Sequence, residues 1–246
     1  MEKEFNELKE TRNEFYTFGI YHCHIENTNK KLFSSSNRDY YTQHDLRRAK
    51  ELKLKISIIE DGSANALLYE RDKLVRGDHV FGSYIDKFYE LKKQAKKDNN
   101  LILKNIAKDF LNLPWGLMCK KNKIIKVKKY DEKYKVGDGF ELTEIQTYGK
   151  QGGSHILTKH INTKKIFASN YARLGVFLTS YSRYQISKTI EPYSDQVKRI
   201  HTDGFYLTFK PEHTKNLNIG DNLGEFHYDK EGIFKIKNMS EMIKIK

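Results

Sequence analysis

Apolar and polar residues follow their clearest pattern between residues 164 and 209, where they predict a long helix followed by a hairpin. Apolar or aromatic side chains recur at three- and four-residue spacing, which places them in one stripe along a helix over 164–190. The stripe consists of Phe167, Tyr171, Leu174, Leu178, Tyr181 and Tyr184. Pro192 ends this helix, because proline lacks the amide hydrogen that a helix needs. Residues 197–209 then alternate around Asp203-Gly204, a pair typical of hairpin turns, so we expect Asp203 at or beside the hairpin tip.

The front of the chain predicts a compact strand, helix and strand. Strand-forming residues fill Phe18 to Glu26, and β-branched residues mark a second strand from Lys55 to Glu60. Between them Thr42 and Asp45 have the spacing of a capping box. This box predicts a helix over 43–53.

Two successive helices are predicted between Phe81 and about Met118. The apolar positions of the first are Phe81, Tyr84, Ile85, Phe88 and Leu91. Those of the second are Ile102, Ile106, Phe110 and Leu111. Residues 98–100 (DNN) form the turn, and Pro114 with Gly116 is expected to end the second helix.

The remaining segments alternate as short strands do, so the predicted fold class is α+β. These strands cover residues 123–129, 141–148, 220–226 and 232–236. A turn is expected at 135–139 between the first two. The glycine-rich stretch 149–153 lacks the Gly-x-x-x-x-Gly-Lys-Ser/Thr spacing of a phosphate-binding loop, and we expect a plain loop there.

The chain is strongly basic, with 45 Lys and Arg against 32 Asp and Glu and a formal net charge of +13. Such a surface attracts polyanions, and 16 tyrosines and 14 phenylalanines also suit base stacking. Nucleic acid is therefore the first candidate partner. An AT-rich genome, which favours Lys codons without any binding role, is the alternative. For the lysines beside the turn at 98–100, an anion clamp and a merely solvated helical hairpin are equally good interpretations.

Cysteine and histidine spacing favours neither a disulfide framework nor a metal site. Cys23 and Cys119 lie far apart, which is typical of a reducing compartment. In a strand His22 and His24 share one face while Cys23 points to the other, so a metal role is not favoured. The charged N-terminus excludes a signal peptide, and no stretch has the ~20 apolar residues that span a bilayer. We therefore expect an intracellular protein with no membrane partner.

Three blocks together resemble motifs of family B DNA polymerases. Residues 108–116 (KDFLNLPWG) resemble motif B of the fingers helix, commonly Lys-x-x-x-Asn-Ser-x-Tyr-Gly, with Lys, Asn and Gly in register. Residues 199–204 (RIHTDG) resemble motif C, commonly Tyr-x-Asp-Thr-Asp-Ser, at the tip of a palm hairpin. Between them, residues 175–183 (GVFLTSYSR) are similar to the Thr-x-x-Gly/Ala-Arg element of the protein-primed branch, which contacts template and primer. The similarity covers roughly residues 15–235.

This resemblance implies a palm-like antiparallel sheet with packed helices and a two-helix fingers insertion. Residues 1–80 would be the N-terminal part of the palm, 81–118 the fingers helical hairpin, and 119–246 the C-terminal part of the palm. It also implies a viral, plasmid or organellar replication context. The implied partners are a DNA template with its primer and a dNTP.

The resemblance further implies roles for single side chains. Asp203 would be the catalytic carboxylate and a Mg²⁺ ligand, because nucleotidyl transfer uses two divalent cations held by carboxylates. The implied nucleotide-binding residues are Lys108, Asn112, Lys96 and Trp115. The implied DNA-binding residues are Thr179, Ser182, Arg183 and Gly116.

Several positions depart from the family pattern. His201 stands where motif C commonly has its first Asp, Gly204 stands where it has Ser, and residues 113–115 (LPW) replace Ser-x-Tyr of motif B. Motif A, with the second metal-binding Asp, should precede the strand at 18–26 and is not found, nor is a proofreading exonuclease or a thumb element.

Three hypotheses follow from these departures. The first is a palm-and-fingers portion that is inactive alone and needs another polypeptide to supply motif A and complete the two-metal site. The second is a catalytically inactive polymerase relative that binds DNA or a partner. The third is an unrelated basic α+β protein.

Overall fold

The chain has an α+β fold, as predicted, with four α-helices and several antiparallel sheets among the residues that the structure describes. The structure is a computed structural model, and it describes residues 17–129, 139–148, 155–210, 217–237 and 241–245. Three sequence predictions lie outside these residues: the charged N-terminal segment, the loop at 149–153, and the turn at 135–139 except for Gly139. The chain divides into two units, one formed by residues 1–73 with 177–246 and the other by residues 74–176.

The first unit opens with a small antiparallel sheet. Its elements are β1 (Gly19–Glu26), β2 (Tyr40–Thr42), α1 (Gln43–Glu51), β3 (Lys55–Ile58) and β4 (Ala66–Leu68). β1 pairs with β2 and β4 along its first half and with β3 along its second half. The two strands and the helix predicted here are confirmed to within two residues at each end. β2 and β4 were not predicted, because three residues are too few to show an alternating pattern.

The core of this sheet follows from the alternation of side chains along β1. Tyr21, Cys23 and Ile25 are buried against Leu46 and Ala49 of α1. The intervening histidines point to the opposite face, as the strand period predicts. The core therefore lies between β1 and α1.

The long helix α4 (Ala172–Ile190) leads into the predicted hairpin, formed by β8 (Val197–His201) and β9 (Gly204–Leu207). The helix stops before Pro192, as expected, but it begins eight residues later than the predicted start at 164, because Phe167 is joined to Lys121 in a β-bridge. Apolar side chains pack the end of the helix against the hairpin. They are Leu32, Ile186, Ile190 and Val197, with Ile200, Phe205 and Leu207 beside them.

The apolar stripe predicted along α4 is wrong for most of its length. Tyr171, Leu174, Leu178 and Tyr181 are exposed, and of the predicted stripe on this helix only Tyr184 is buried. The buried face instead carries Phe177, Ser180, Tyr184, Ser187 and Ile190. Thr42 of β2 and Arg48 of α1 form hydrogen bonds with the Ser180 and Ser187 hydroxyls. These bonds allow a helix face with two polar residues to be buried.

The C-terminal strands differ from their prediction. β10 (Phe234–Ile236) lies within the strand predicted at 232–236, and it pairs with β11 (Met242–Lys244), which was not predicted. No strand forms at 220–226, where the described contact is a bridge between Ile219 and Phe226.

The second unit contains a helical hairpin and a three-stranded sheet. Its elements are α2 (Gly77–Lys97), α3 (Leu101–Met118), β5 (Lys123–Lys129), β6 (Phe140–Tyr148) and β7 (His155–Asn162). The strands are antiparallel in the order β5-β7-β6. β5 and β6 were predicted, whereas β7 was missed because lysine and histidine interrupt its apolar positions.

Aromatic side chains join the two helices. The rings of Phe88 and Phe110 stack with centroids 4.7 Å apart, and the Asn100 side chain accepts from the Leu103 amide at the start of α3. Packing covers only part of the apolar side predicted for α3, since Ile102 is 75 % exposed.

Across the described part of the chain, no helix is both long and apolar enough to cross a bilayer.

The expected end of α3 at Pro114 is wrong, because the helix runs through Pro114 to Met118. A proline inside a helix leaves the carbonyl four residues earlier without its amide partner. That carbonyl belongs to Phe110, and the Tyr84 hydroxyl donates to it at 2.8 Å. α2 therefore supplies the hydrogen bond that Pro114 cannot make.

Candidate nucleic-acid interface

Asp203 lies at the tip of the β8–β9 hairpin, as predicted. His201 pairs with Gly204, so Thr202 and Asp203 form the two-residue connection. Thr202 has a φ of 57°, an uncommon value for a β-branched residue and one that costs free energy. The tight turn leaves the Asp203 carboxylate exposed at the end of a hairpin that is anchored in the core behind it.

The carboxylate set that two Mg²⁺ ions need is not assembled by the described residues. Within these ranges no three His, Cys, Asp or Glu side chains lie close enough to hold a metal ion. Two-metal nucleotidyl transfer requires carboxylates on both cations. Asp203 offers a single one, so this part of the chain does not fit a two-metal site by itself.

The α4 residues Thr179 and Arg183 lie one turn apart on the same side of the helix, with Ser182 beside them. Thr179 and Ser182 are partly buried, and the Arg183 side chain is 46 % exposed. The three predicted DNA-binding residues of α4 therefore reach one surface of the first unit.

Arg183 makes an ion pair that the sequence did not reveal. Its Nη2 donates to both carboxylate oxygens of Asp45, at 2.9 and 3.2 Å. The Asp45 side chain is 7 % exposed, and it also accepts from the Thr42 amide at 3.0 Å and the Thr42 hydroxyl at 3.1 Å. One turn before Arg183, the Ser180 hydroxyl lies 2.7 Å from that of Thr42. The two residues of the α1 capping box, Thr42 and Asp45, therefore also bind α4 through Ser180 and Arg183.

A second contact between α1 and α4 is centred on Arg48. Its side chain is 3 % exposed, and it donates to the Ser187 hydroxyl at 2.7 Å and to Glu191 at 3.0 Å. Glu51 on the same helix accepts from Arg48 and from the Tyr184 hydroxyl. Burial alone would raise the pKa of Glu51, but the Tyr184 hydrogen bond with the Lys188 and Arg48 charges lowers it.

The residues predicted from the resemblance to motif B share one face of α3 in the second unit. Because the helix is continuous through Pro114, Lys108, Asn112 and Gly116 follow each other at four-residue spacing. The face they form is about 12 Å long, and all three residues are exposed. Lys96 is exposed near the end of α2, before the turn into α3.

Trp115 borders a close crossing between α3 and the first turn of α4. A Cβ placed on Gly175 would lie 2.1 Å from Cys119 Sγ and 3.3 Å from Trp115 Nε1. Glycine at 175 therefore allows α4 to approach this end of α3. The indole is 43 % exposed, so its other side is open to solvent.

Sequence reasoning missed two of the residues that shape these surfaces. Asp45 was predicted as the third helical residue of the Thr42 capping box, but its partner Arg183 is 138 positions away and no local pattern indicates that pairing. Gly175 was noted only as part of a motif, and the Cys119 side chain that excludes a larger residue there could not be read from spacing. The predicted site residues are divided between the units: Asp203, Thr179, Ser182 and Arg183 belong to the first, and Lys96, Lys108, Asn112, Trp115 and Gly116 to the second.

Comparison with known proteins identifies one related family. Residues 3–196 match the family model for organellar and viral type B DNA polymerases. No curated protein and no solved structure matches the chain.

Proposed function

The chain belongs to the organellar and viral type B DNA polymerase family, and from that membership we propose that it is the palm-and-fingers portion of a protein-primed DNA polymerase. In this role it binds a DNA primer–template and an incoming dNTP. The family match over residues 3–196, most of the chain, is the observation that carries the proposal.

The α3 face supports a role in nucleotide binding. Lys108 presents an exposed positive charge, which suits the triphosphate of a dNTP, and Asn112 follows it one turn later. Gly116 has no atom within 4 Å of its would-be Cβ, so this end of the face is open. We assign Lys96 and Trp115 to the rim of the same nucleotide site, with α2 and α3 as the fingers.

The exposed polar surface of α4 supports DNA binding by the first unit, which we assign to the palm. Contacts between cationic side chains and backbone phosphates release counterions, so affinity should fall steeply with salt. Thr179, Ser182 and Arg183 are polar and reach one surface, as contacts to a sugar–phosphate backbone require.

Asp203 is the carboxylate that we assign to the catalytic centre. The described residues do not complete a two-metal site around it. We therefore propose that the second metal-binding carboxylate comes from motif A, which commonly has the pattern Asp-x-x-Ser-Leu-Tyr-Pro, on another polypeptide. On this proposal the chain alone binds DNA but does not extend a primer.

A second candidate function is DNA binding without catalysis. His201 favours it, because an imidazole stands where motif C of the family commonly has a carboxylate. This alternative makes the same prediction for DNA binding and a different one for extension.

Primer extension separates the two candidates. The chain is assayed with a primer–template, dNTPs and Mg²⁺, with and without a co-expressed polypeptide that carries the Asp-x-x-Ser-Leu-Tyr-Pro segment. Extension that appears only with the second polypeptide and is lost in Asp203→Asn supports the polymerase proposal. Salt-sensitive DNA binding with no extension in any combination favours the non-catalytic candidate, and affinity that is equal at low and high salt overturns both.

A further inference from the structure

We propose that Asp45 is a positioning residue, which holds the Arg183 guanidinium so that its free edge faces a backbone phosphate of bound DNA. The inference rests on the proposed DNA-binding function. It adds a residue outside the motif blocks, on a different helix from Arg183.

The Arg183 guanidinium is bound to Asp45 through one of its nitrogens, and its other N–H groups are available to a ligand. Both hydrogen bonds that Arg183 makes within the described ranges come from Nη2. A guanidinium has five N–H donors, so the Nε–H and the two Nη1–H groups remain for another acceptor. The side chain is 46 % exposed, which leaves these donors accessible to a phosphate.

Asp45 is itself held in place. It is nearly buried, and the Thr42 amide and hydroxyl both donate to it at the start of α1. A carboxylate fixed in this way restricts the rotamers of the arginine that it binds. Arg183 then loses less conformational entropy when it meets a phosphate, which favours binding.

Simple electrostatics predicts the opposite effect, and this makes the inference testable. Asp45 is a negative charge beside a phosphate-binding arginine, so its removal should strengthen attraction to DNA if only net charge matters. If positioning matters more, removal of the carboxylate should weaken binding although the chain becomes more positive.

The test measures binding of the full chain to a fluorescent primer–template by anisotropy at several salt concentrations. We expect Asp45→Asn to weaken binding about tenfold, because a charge-assisted contact loses its geometry. Arg183→Ala should weaken binding to a similar extent, and the double variant should bind no more weakly than Arg183→Ala alone. Thr42 remains the N-cap residue of α1 in this variant, so the helix should persist, and urea unfolding checks that each variant is folded.

Glu60→Gln is the charge-matched control. Glu60 is exposed in the same unit, and its replacement also removes one negative charge from the chain. It should bind DNA as tightly as the wild type or slightly more tightly. The inference is overturned if Asp45→Asn behaves like Glu60→Gln, or if the Asp45 and Arg183 effects multiply in the double variant. These results leave the proposed function standing, whereas a wild-type chain that does not bind the primer–template overturns both.

Discussion

The Tyr84 hydroxyl donates a 2.8 Å hydrogen bond to the Phe110 carbonyl, the group that Pro114 leaves without an amide partner in α3. The contact joins α2 and α3 at Phe110, between Lys108 and Asn112. It explains how a helix with an internal proline keeps Lys108, Asn112 and Gly116 on one face.

Replacement of Tyr84 by phenylalanine should destabilise the helical hairpin by about 1 kcal/mol, because it removes the hydroxyl that donates to the Phe110 carbonyl. In a Pro114→Ala background the amide of residue 114 can donate to that carbonyl. The cost of Tyr84→Phe should therefore fall towards zero there. Urea unfolding of the four proteins, followed by circular dichroism, gives the coupling free energy.

The matched control is Tyr89→Phe, on the same helix, whose ring lies beside the Lys92 and Lys93 ammonium groups. It keeps the aromatic face and should not couple to Pro114. An equal cost of Tyr84→Phe with and without Pro114 would show that the hydroxyl does not compensate for the proline.

Gly175→Ala should destabilise the chain by roughly 1–3 kcal/mol, because the new methyl group would overlap Cys119 Sγ. The double variant Gly175→Ala/Cys119→Ala should recover part of this loss, since it removes the sulfur atom that the methyl group meets. The free energy of unfolding of the single and double variants tests the contact.

Gly116→Ala provides the comparison for backbone effects, because Gly116 is also helical but has nothing within 4 Å of its would-be Cβ. Alanine there should be neutral or should stabilise α3 by about 0.5–1 kcal/mol. If both alanine variants change stability alike, the crossing of α3 and α4 is looser than the structure shows.

The Tyr84–Phe110 hydrogen bond and the close approach of Gly175 to Cys119 could not be predicted from the sequence. Periodicity, capping residues and the Asp-Gly pair predicted β1, α1 and the β8–β9 hairpin, because their signals lie within a few residues of each other. The inner face of α4 could not be predicted, since Ser180 and Ser187 are buried by partners about 138 positions away. The continuity of α3 depends on Tyr84 in another helix. The motif residues were found from the family resemblance, while Asp45 required the tertiary structure.

Arg48→Ala should destabilise the first unit by about 2–4 kcal/mol, because it removes the buried cation that Ser187, Glu51 and Glu191 share. Arg47→Ala on the same helix is the control. Arg47 is exposed, and its pair with Glu51 should contribute at most about 1 kcal/mol. Urea midpoints that shift equally in both variants would contradict a structural role for the buried network.

Cys23 is buried and should resist thiol reagents in the folded chain, whereas Cys119 is partly exposed and should react. Burial, with the Asp39 and Asp45 charges, raises the pKa of the Cys23 thiol to about 12. One thiol per chain should therefore react at pH 8 without denaturant and two in urea. Cys119→Ser should reduce the native value to zero, and a native count of two would show that the core around β1 opens readily.

The same thiol predicts a loss of stability in alkali. The folded-state pKa of Cys23 is raised above its ordinary value of 9.0, so the unfolded chain releases this proton first as pH rises. The contribution of the protonated Cys23 thiol to the free energy of unfolding is therefore fully present below pH 9. It decreases by about 1.4 kcal/mol per pH unit between 9 and 12. Cys23→Ala should reduce the slope of unfolding free energy against pH in this window by about that amount, and an unchanged slope would exclude Cys23 as its source.

Lys108→Ala should weaken binding of a primer–template with dNTP more than loss of a comparable lysine elsewhere, because Lys108 lies on the α3 face with Asn112 and Gly116. Removal of one phosphate contact should lower the slope of log affinity against log salt concentration by about one. Lys87→Ala is the matched control, since Lys87 is also exposed and belongs to the neighbouring helix α2. Both variants lose one positive charge, so a general field effect would weaken binding equally in both. A larger effect at Lys108, which grows when dNTP is present, would identify α3 as a nucleotide-contacting face, and equal effects would contradict that assignment.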